Sequence, residues 1–324
     1  MRLLRAELNR VRMRRITWLT ALALLLALAG LSLIGWQLMQ PPTSEQVAEG
    51  ERYYQESLGY WEESREQIIA ECVEFEGLSE EECAAQYELG RPTPDMYVPT
   101  PADFSQAAGI ALTASSYLLG FGALLVAASS IGAETSTGAL GSWLTFVPRR
   151  VPVYLAKLVA VVLWVLVAAA ALQALLVTAH LLLARAVGAA VVGPQDVWAT
   201  AARSLLVVLA LTVVGFTVAC LGRHTIAALG AVLGYGFLAV VRLALGGYGW
   251  VQQLTPWLPE ANLEAVLRDG YDYYVTEQRT TAEGIEYVYH EAHLGLAHGL
   301  AYWAVLLAVL VGVSLLVFRR RDVT

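Results

Sequence analysis

The chain offers few side chains suited to chemistry. His290, Glu291, His293 and His298 invite a metal reading. Their spacing does not reproduce H-E-x-x-H, in which two histidines one helical turn apart share a face, and no cysteine lies near them, so no metal site is expected. Lys157 is the sole lysine. It stands between Ala156 and Leu158 rather than after a glycine-rich run, so no phosphate-binding loop can form on it and the chain cannot hydrolyse ATP by that route. A G-x-S-x-G elbow is absent, as is a convincing Ser/His/Asp set, so no catalytic residue is expected and the chain is not read as an enzyme. Arg185, Arg203 and Arg242 near the ends of apolar runs have two readings. They snorkel and pair with acidic loops, or they line an outer vestibule for an anionic or lipid headgroup.

The elements that hold these residues are apolar. Of 324 residues, 57% are hydrophobic and only 15% charged, against roughly 25% charged in a soluble domain. The apolar residues come in blocks of about 20, enough to cross ~30 Å of hydrocarbon. Six spans are expected, at 16–38, 106–131, 153–184, 199–221, 225–245 and 297–318, giving an all-α membrane protein. The first run is longer than a signal peptide's and no small-x-small site follows it, so it reads as an uncleaved span. Ionisable groups are almost missing from the span interiors, which argues against a proton- or sodium-coupled carrier.

Charge is sorted by loop. The N-terminal flank, the segment after span two, Arg223 in the turn after span four, and the tail 319–324 hold 13 of the 21 basic residues. Loops 39–105 and 246–296 hold 24 of the 28 acidic residues and five basic ones. The positive-inside rule then places both termini and residues 132–152 in the cytoplasm, with the two acidic loops outside a plasma membrane. Cys72 and Cys83 share the first outer loop, where oxidising conditions favour a disulfide clipping a helical hairpin. Cys220 in span four reads as buried and inert.

That loop, 39–105, reads as a helical acidic cap over the outer mouth. One helix is expected from Glu45 to about Ile69 and a second behind a Ser79–Glu82 capping box, followed by a proline-ruled connector. In the second loop, 246–296, Pro259 opens a short amphipathic helix that Gly270 ends. The alternating stretches YDYYVTEQRT and GIEYVYHEA then read as a β-hairpin.

Two basic segments stand out. Residues 1–15 carry Leu3, Leu4, Leu8 and Val11 near one helical face, among Arg5, Glu7 and Arg10, the pattern of a helix lying in the membrane interface. Between spans two and three lies G-A-E-T-S-T-G from Gly132 to Gly138. Here Gly132 is expected to end the span and Thr135 or Ser136 to cap a short helix. Glu134 is then near that helix's positive end. Ala139, Leu140, Trp143 and Leu144 give the short helix an apolar face, and Pro148 breaks it before span three.

With these residues in place, the chain resembles the permease subunits of type-2 ABC exporters. The match is carried by four features. They are the basic N-terminal R-A-E-L-N-R-V-R-M-R-R, Glu134 with Thr137-Gly138 followed by Pro148-Arg149-Arg150 and Lys157, the six-span layout with a large loop before span six, and the ending Phe318-Arg-Arg-Arg-Asp322. The resemblance implies that 132–152 is a cytoplasmic coupling helix, with Glu134, Thr135, Thr137, Gly138, Trp143, Arg149, Arg150 and Lys157 passing motion from a separate ATP-binding subunit. It implies two copies of that subunit carrying ATP and magnesium, no cofactor in this chain, a second permease chain completing a dimer, membrane lipid around it and no nucleic acid. The span interiors imply an apolar or amphipathic substrate such as a lipid, peptide or drug. The first outer loop, at about 65 residues, is longer than the family's usual one. The alternative reading is a non-transporting membrane sensor or assembly factor whose acidic outer cap binds a partner.

Overall fold

The computed structural model describes residues 2–146, 149–246, 248–281 and 284–320. Pro148, Arg321, Asp322 and the side chain of Leu144, all part of the expectations above, lie outside the described residues. The chain runs α1 (Arg2–Met13), α2 (Arg15–Leu38), α3 (Ser44–Glu76), α4 (Glu80–Leu89), α5 (Phe104–Ser136), α6 (Ala139–Phe146), α7 (Arg150–Val187), α8 (Pro194–Gly222), α9 (Thr225–Ala244), α10 (Gly249–Gln252), α11 (Pro259–Arg268), β1 (Tyr271–Thr281), β2 (Gly284–Leu294) and α12 (Leu296–Arg320). Among the described residues six helices, α2, α5, α7, α8, α9 and α12, are long and apolar enough to cross a membrane. The fold is that of an all-α, multi-pass membrane protein with one small hairpin.

The bundle is built around α5 and α8, whose apolar stretches are more than half buried, while α2, α9 and α12 leave most of theirs unburied. Small residues let α5 and α8 approach closely, as helices packing in lipid require. A polar link spans the centre of the bundle. Ser115 on α5 donates to Gln173 Oε1 on α7 at 3.0 Å, and Gln173 Nε2 donates to Ser204 Oγ on α8 at 3.0 Å. All three residues are buried, so each satisfies a group that hydrocarbon cannot.

Several helices outrun their apolar runs because their polar ends find partners. Asp103 caps α5 by accepting the Gln106 N–H at 2.9 Å and the Ser105 hydroxyl at 2.8 Å. These bonds, the backbone one foremost, hold its carboxyl below the usual range. At its other end α5 continues to Ser136, past the expected stop at 131. Helix α7 has 38 residues, or about 57 Å at 1.5 Å per residue, well beyond the hydrocarbon thickness.

In the first loop α3 reaches Glu76, beyond the expected Ile69, and Cys72 lies inside it. Capping boxes open both α3 (Thr43 with Gln46) and α4 (Ser79 with Glu82). A Cys72–Cys83 disulfide staples the two helices. In the second loop β1 and β2 pair antiparallel from Tyr271↔Leu294 to Thr281↔Gly284. Helix α11 buries Leu263, Val266 and Leu267, and Asp269 in the left-handed conformation ends it one residue before Gly270.

Helices α1, α7, α8 and α12 meet at one end of the bundle. Val11, Tyr154, Phe216 and Phe318 share one core cluster. The Tyr154 ring lies 5.3 Å from Phe216 and 5.5 Å from Phe318. This is the end that carries most of the basic residues.

Candidate functional site

At the basic end three helices converge on a buried charge cluster. Helix α1 lies against the start of α7, with Val11 buried and Leu3 packed on the same cluster. Its last carbonyls are taken by α2, where the Thr17 hydroxyl donates to Val11 O at 2.8 Å and Trp18 Nε1 donates to Arg12 O at 2.8 Å. These bonds fix the kink at Arg14, satisfying groups that a helix end leaves open. The amphipathic spacing of α1 then aims Glu7 at α7.

Lys157 is the hub. Its Nζ donates to Glu7 Oε2 at 2.9 Å and to Glu134 Oε2 at 2.6 Å, and its side chain is 2% exposed. Glu134 also accepts from Arg14 Nη2 at 2.5 Å, and Arg10 lies 3.9 Å from it. Arg10 pairs with Glu7 at 3.4 Å and stacks over the Trp143 ring of α6 at 4.0 Å. Arg14 further donates to Ser129 O at 2.7 Å and Ser130 O at 3.3 Å, tying α1–α2 to α5. Three cations meet two carboxylates, so the cluster carries a formal excess of one positive charge. Buried charges survive only when paired and hydrogen-bonded in this way.

Three local expectations need correction. Glu134 does not sit at the positive end of the short helix. It lies in the last turn of α5, where the helix dipole is unfavourable to a carboxylate. Lys157, Arg14 and Arg10 outweigh that dipole because they are full charges within 4 Å. Nor does Gly132 end the span. A Cβ at that position would come within 2.6 Å of the Thr225 backbone nitrogen, so Gly132 is where α5 and the start of α9 touch backbone to backbone. The chain leaves α5 through Thr137 and Gly138, whose φ of 71° only glycine adopts readily. The Thr135 and Ser136 hydroxyls donate to Ile131 O at 2.8 Å and Ala133 O at 3.2 Å, and Thr137 to Ala133 O at 2.8 Å, so Thr135 and Ser136 close α5 rather than cap α6.

Of the residues singled out in sequence, the structure brings together Glu7, Arg10, Glu134, Trp143 and Lys157. Arg5 and Arg149 are exposed and stand apart, while Arg150 donates to Arg319 O at 3.0 Å and so ties α7 to α12. Arg14 was missed. Its only signal is that it is the charged residue at the break immediately before the first apolar run.

At the acidic end, Arg203 and Arg242 grip opposite ends of α11. Arg203 pairs with Asp269 at 3.0 Å and donates to Leu267 O at 3.2 Å. Arg242 pairs with Glu260 at 3.0 Å, and Tyr235 donates to the same carboxylate. These contacts pair Arg203 and Arg242 with the acidic loop, and Arg185 is exposed at the last turn of α7. On the hairpin, His290 and His293 each lie beside a carboxylate of the facing strand, Glu277 at 3.0 Å and Asp272 at 2.5 Å. Among the described residues no group of three or more potential ligands converges to hold a metal ion.

No protein-family model matches the chain, and no curated protein matches it.

Proposed function

We propose that the chain is the membrane-spanning permease subunit of an ATP-driven exporter of the ABC-2 type. It works as one of two permease chains with two copies of a separate ATP-binding subunit, which hold ATP and magnesium. In this reading the basic end is cytoplasmic, the acidic loops are outside the plasma membrane, and an apolar or amphipathic substrate moves outward.

The observation that carries the proposal is the Glu7–Lys157–Glu134 cluster with Arg10 on Trp143. It couples α1, α5 and α7 to the short helix α6 beside them. A force applied to α6 is passed to three helices as one body, the kind of rigid-element motion that switches packed bundles. No phosphate-binding loop occurs in the sequence, and in this reading the force comes from the separate ATP-binding subunit.

The test is coupling in proteoliposomes holding the permease with its ATPase. Glu134→Ala, and separately Arg149→Ala with Arg150→Ala, should leave ATP turnover running while transport falls. The wild-type ratio in both variants would remove the proposal.

One feature favours a second reading, a non-transporting sensor or assembly factor. The α3–α4 hairpin is capped and disulfide-stapled as a unit of its own. That reading predicts that substitution of Glu134 has no effect beyond stability.

A further inference from the structure

Independently of the transport role, we infer that the α3–α4 hairpin carries a binding groove for a cationic peptide segment, one presenting arginine side chains. The groove, about 610 Å³, runs along one face of α3. Tyr53, Tyr60 and Trp61 of α3 line it together with Tyr87 of α4, Tyr97 of the following connector and Glu56. Positions 53, 57, 60, 64 and 68 recur at three- and four-residue steps, so they form one row along the helix.

The groove is built rather than incidental. The Tyr87 ring stacks on Trp61 at 4.8 Å, and its hydroxyl donates to Trp61 O at 2.5 Å. The connector lies directly on α3, since a Cβ on Gly50 would come within 2.7 Å of Tyr97 O. Yet the walls are open. Tyr60 is 71% exposed and Tyr53 49% exposed. A merely solvated acidic helix has no need to display a row of aromatic rings, and such displays mark contact surfaces.

Two observations set the class of occupant. Residues 39–105 hold 16 acidic and three basic residues, so the field at the groove repels anions and draws cations. The rings already accept guanidinium groups of the chain itself. Arg52 lies 5.4 Å from the Tyr53 ring and Arg91 lies 5.5 Å from Trp61. Aromatic faces attract organic cations, and the weakly hydrated, planar guanidinium stacks on them better than an ammonium does. A neutral sugar would gain nothing from the acidic field.

The experiment uses the full-length protein in nanodiscs of zwitterionic lipid. The probes are a short peptide alternating arginine with glycine, its glutamate counterpart, and a neutral oligosaccharide. The arginine peptide should bind saturably and the other two should not. Tyr53→Ala with Tyr60→Ala should weaken it about tenfold, as the loss of two exposed cation–π contacts implies, while Tyr53→Phe with Tyr60→Phe keeps the affinity. Both tyrosines are exposed, so an unchanged circular dichroism spectrum confirms that the alanine pair is folded. Glu71→Gln with Glu74→Gln, on α3 outside the groove, should change binding far less than the alanine pair does. The inference is overturned if the alanine pair binds like wild type, if the two pairs weaken binding equally, or if the sugar binds and the peptide does not.

Discussion

Replacing Lys157 with Met tests the charge cluster most sharply. The lysine is 2% exposed and lies 2.9 Å and 2.6 Å from two carboxylates. Glu134 keeps Arg14 at 2.5 Å when the lysine is gone. Glu7, 3% exposed, keeps only Arg10 among the described ion pairs, at 3.4 Å, on a side chain 36% exposed. Breaking a buried pair by removing one partner costs roughly 3–5 kcal/mol. Because Arg10 still offsets part of the charge, the lower end applies, about 3 kcal/mol or on the order of a hundredfold in the folded population. Glu7→Gln with Lys157→Met removes both charges of the orphaned pair. Its cost should fall short of the summed single costs by at least about 1 kcal/mol. Equilibrium unfolding in mixed micelles measures all three variants. Hydrogen exchange should show α1 amides opening faster in Lys157→Met. Costs that add within about 0.5 kcal/mol, or a Lys157→Met protein as stable as wild type, would refute the cluster as a structural clasp.

Three further outcomes are expected. Gly132→Ala forces a methyl into the Thr225 backbone and should destabilise by roughly 1–3 kcal/mol, with α9 amides exchanging faster; a neutral effect would mean that α5 and α9 are not in contact there. Reducing Cys72–Cys83 opens a loop spanned by 11 positions and should destabilise the α3–α4 hairpin by about 3 kcal/mol, leaving exchange in the spans unchanged; equal loosening of both would show that the hairpin is not a separate unit. Arg203→Gln should raise exchange at Leu267 to Gly270, with a stability cost of about 1 kcal/mol because Asp269 is itself 57% exposed; unchanged protection would remove its role in gripping α11.

What was legible in the sequence was what depends on local pattern. Apolar runs gave the six spans, alternation gave the hairpin, and Ser79 with Glu82 gave the start of α4. Two cysteines 11 positions apart on one loop gave the disulfide. What was not legible depends on distant partners. Helix α5 runs on past 131 because Glu134 is neutralised by Arg14 and Lys157, which are 120 and 23 residues away. Gly132 looks like a terminator in sequence and is a contact point in space, since its neighbour is Thr225. Helix α3 continues beyond Ile69 through a stretch with no apolar periodicity, held by the staple at Cys72. The segment around Glu134 and Lys157 stood out in the sequence, but its contacts did not. Those residues bind their own chain's first helix, and nothing within the segment itself signals that Glu7 is the third member.

The most direct test of the permease proposal is gentle purification of the tagged protein from its native membrane, followed by mass spectrometry of what comes with it. A stoichiometric partner carrying a phosphate-binding loop is expected, retained in Glu134→Ala and in Arg149→Ala with Arg150→Ala without driving transport. A crosslinked preparation free of any ATP-binding subunit would contradict it.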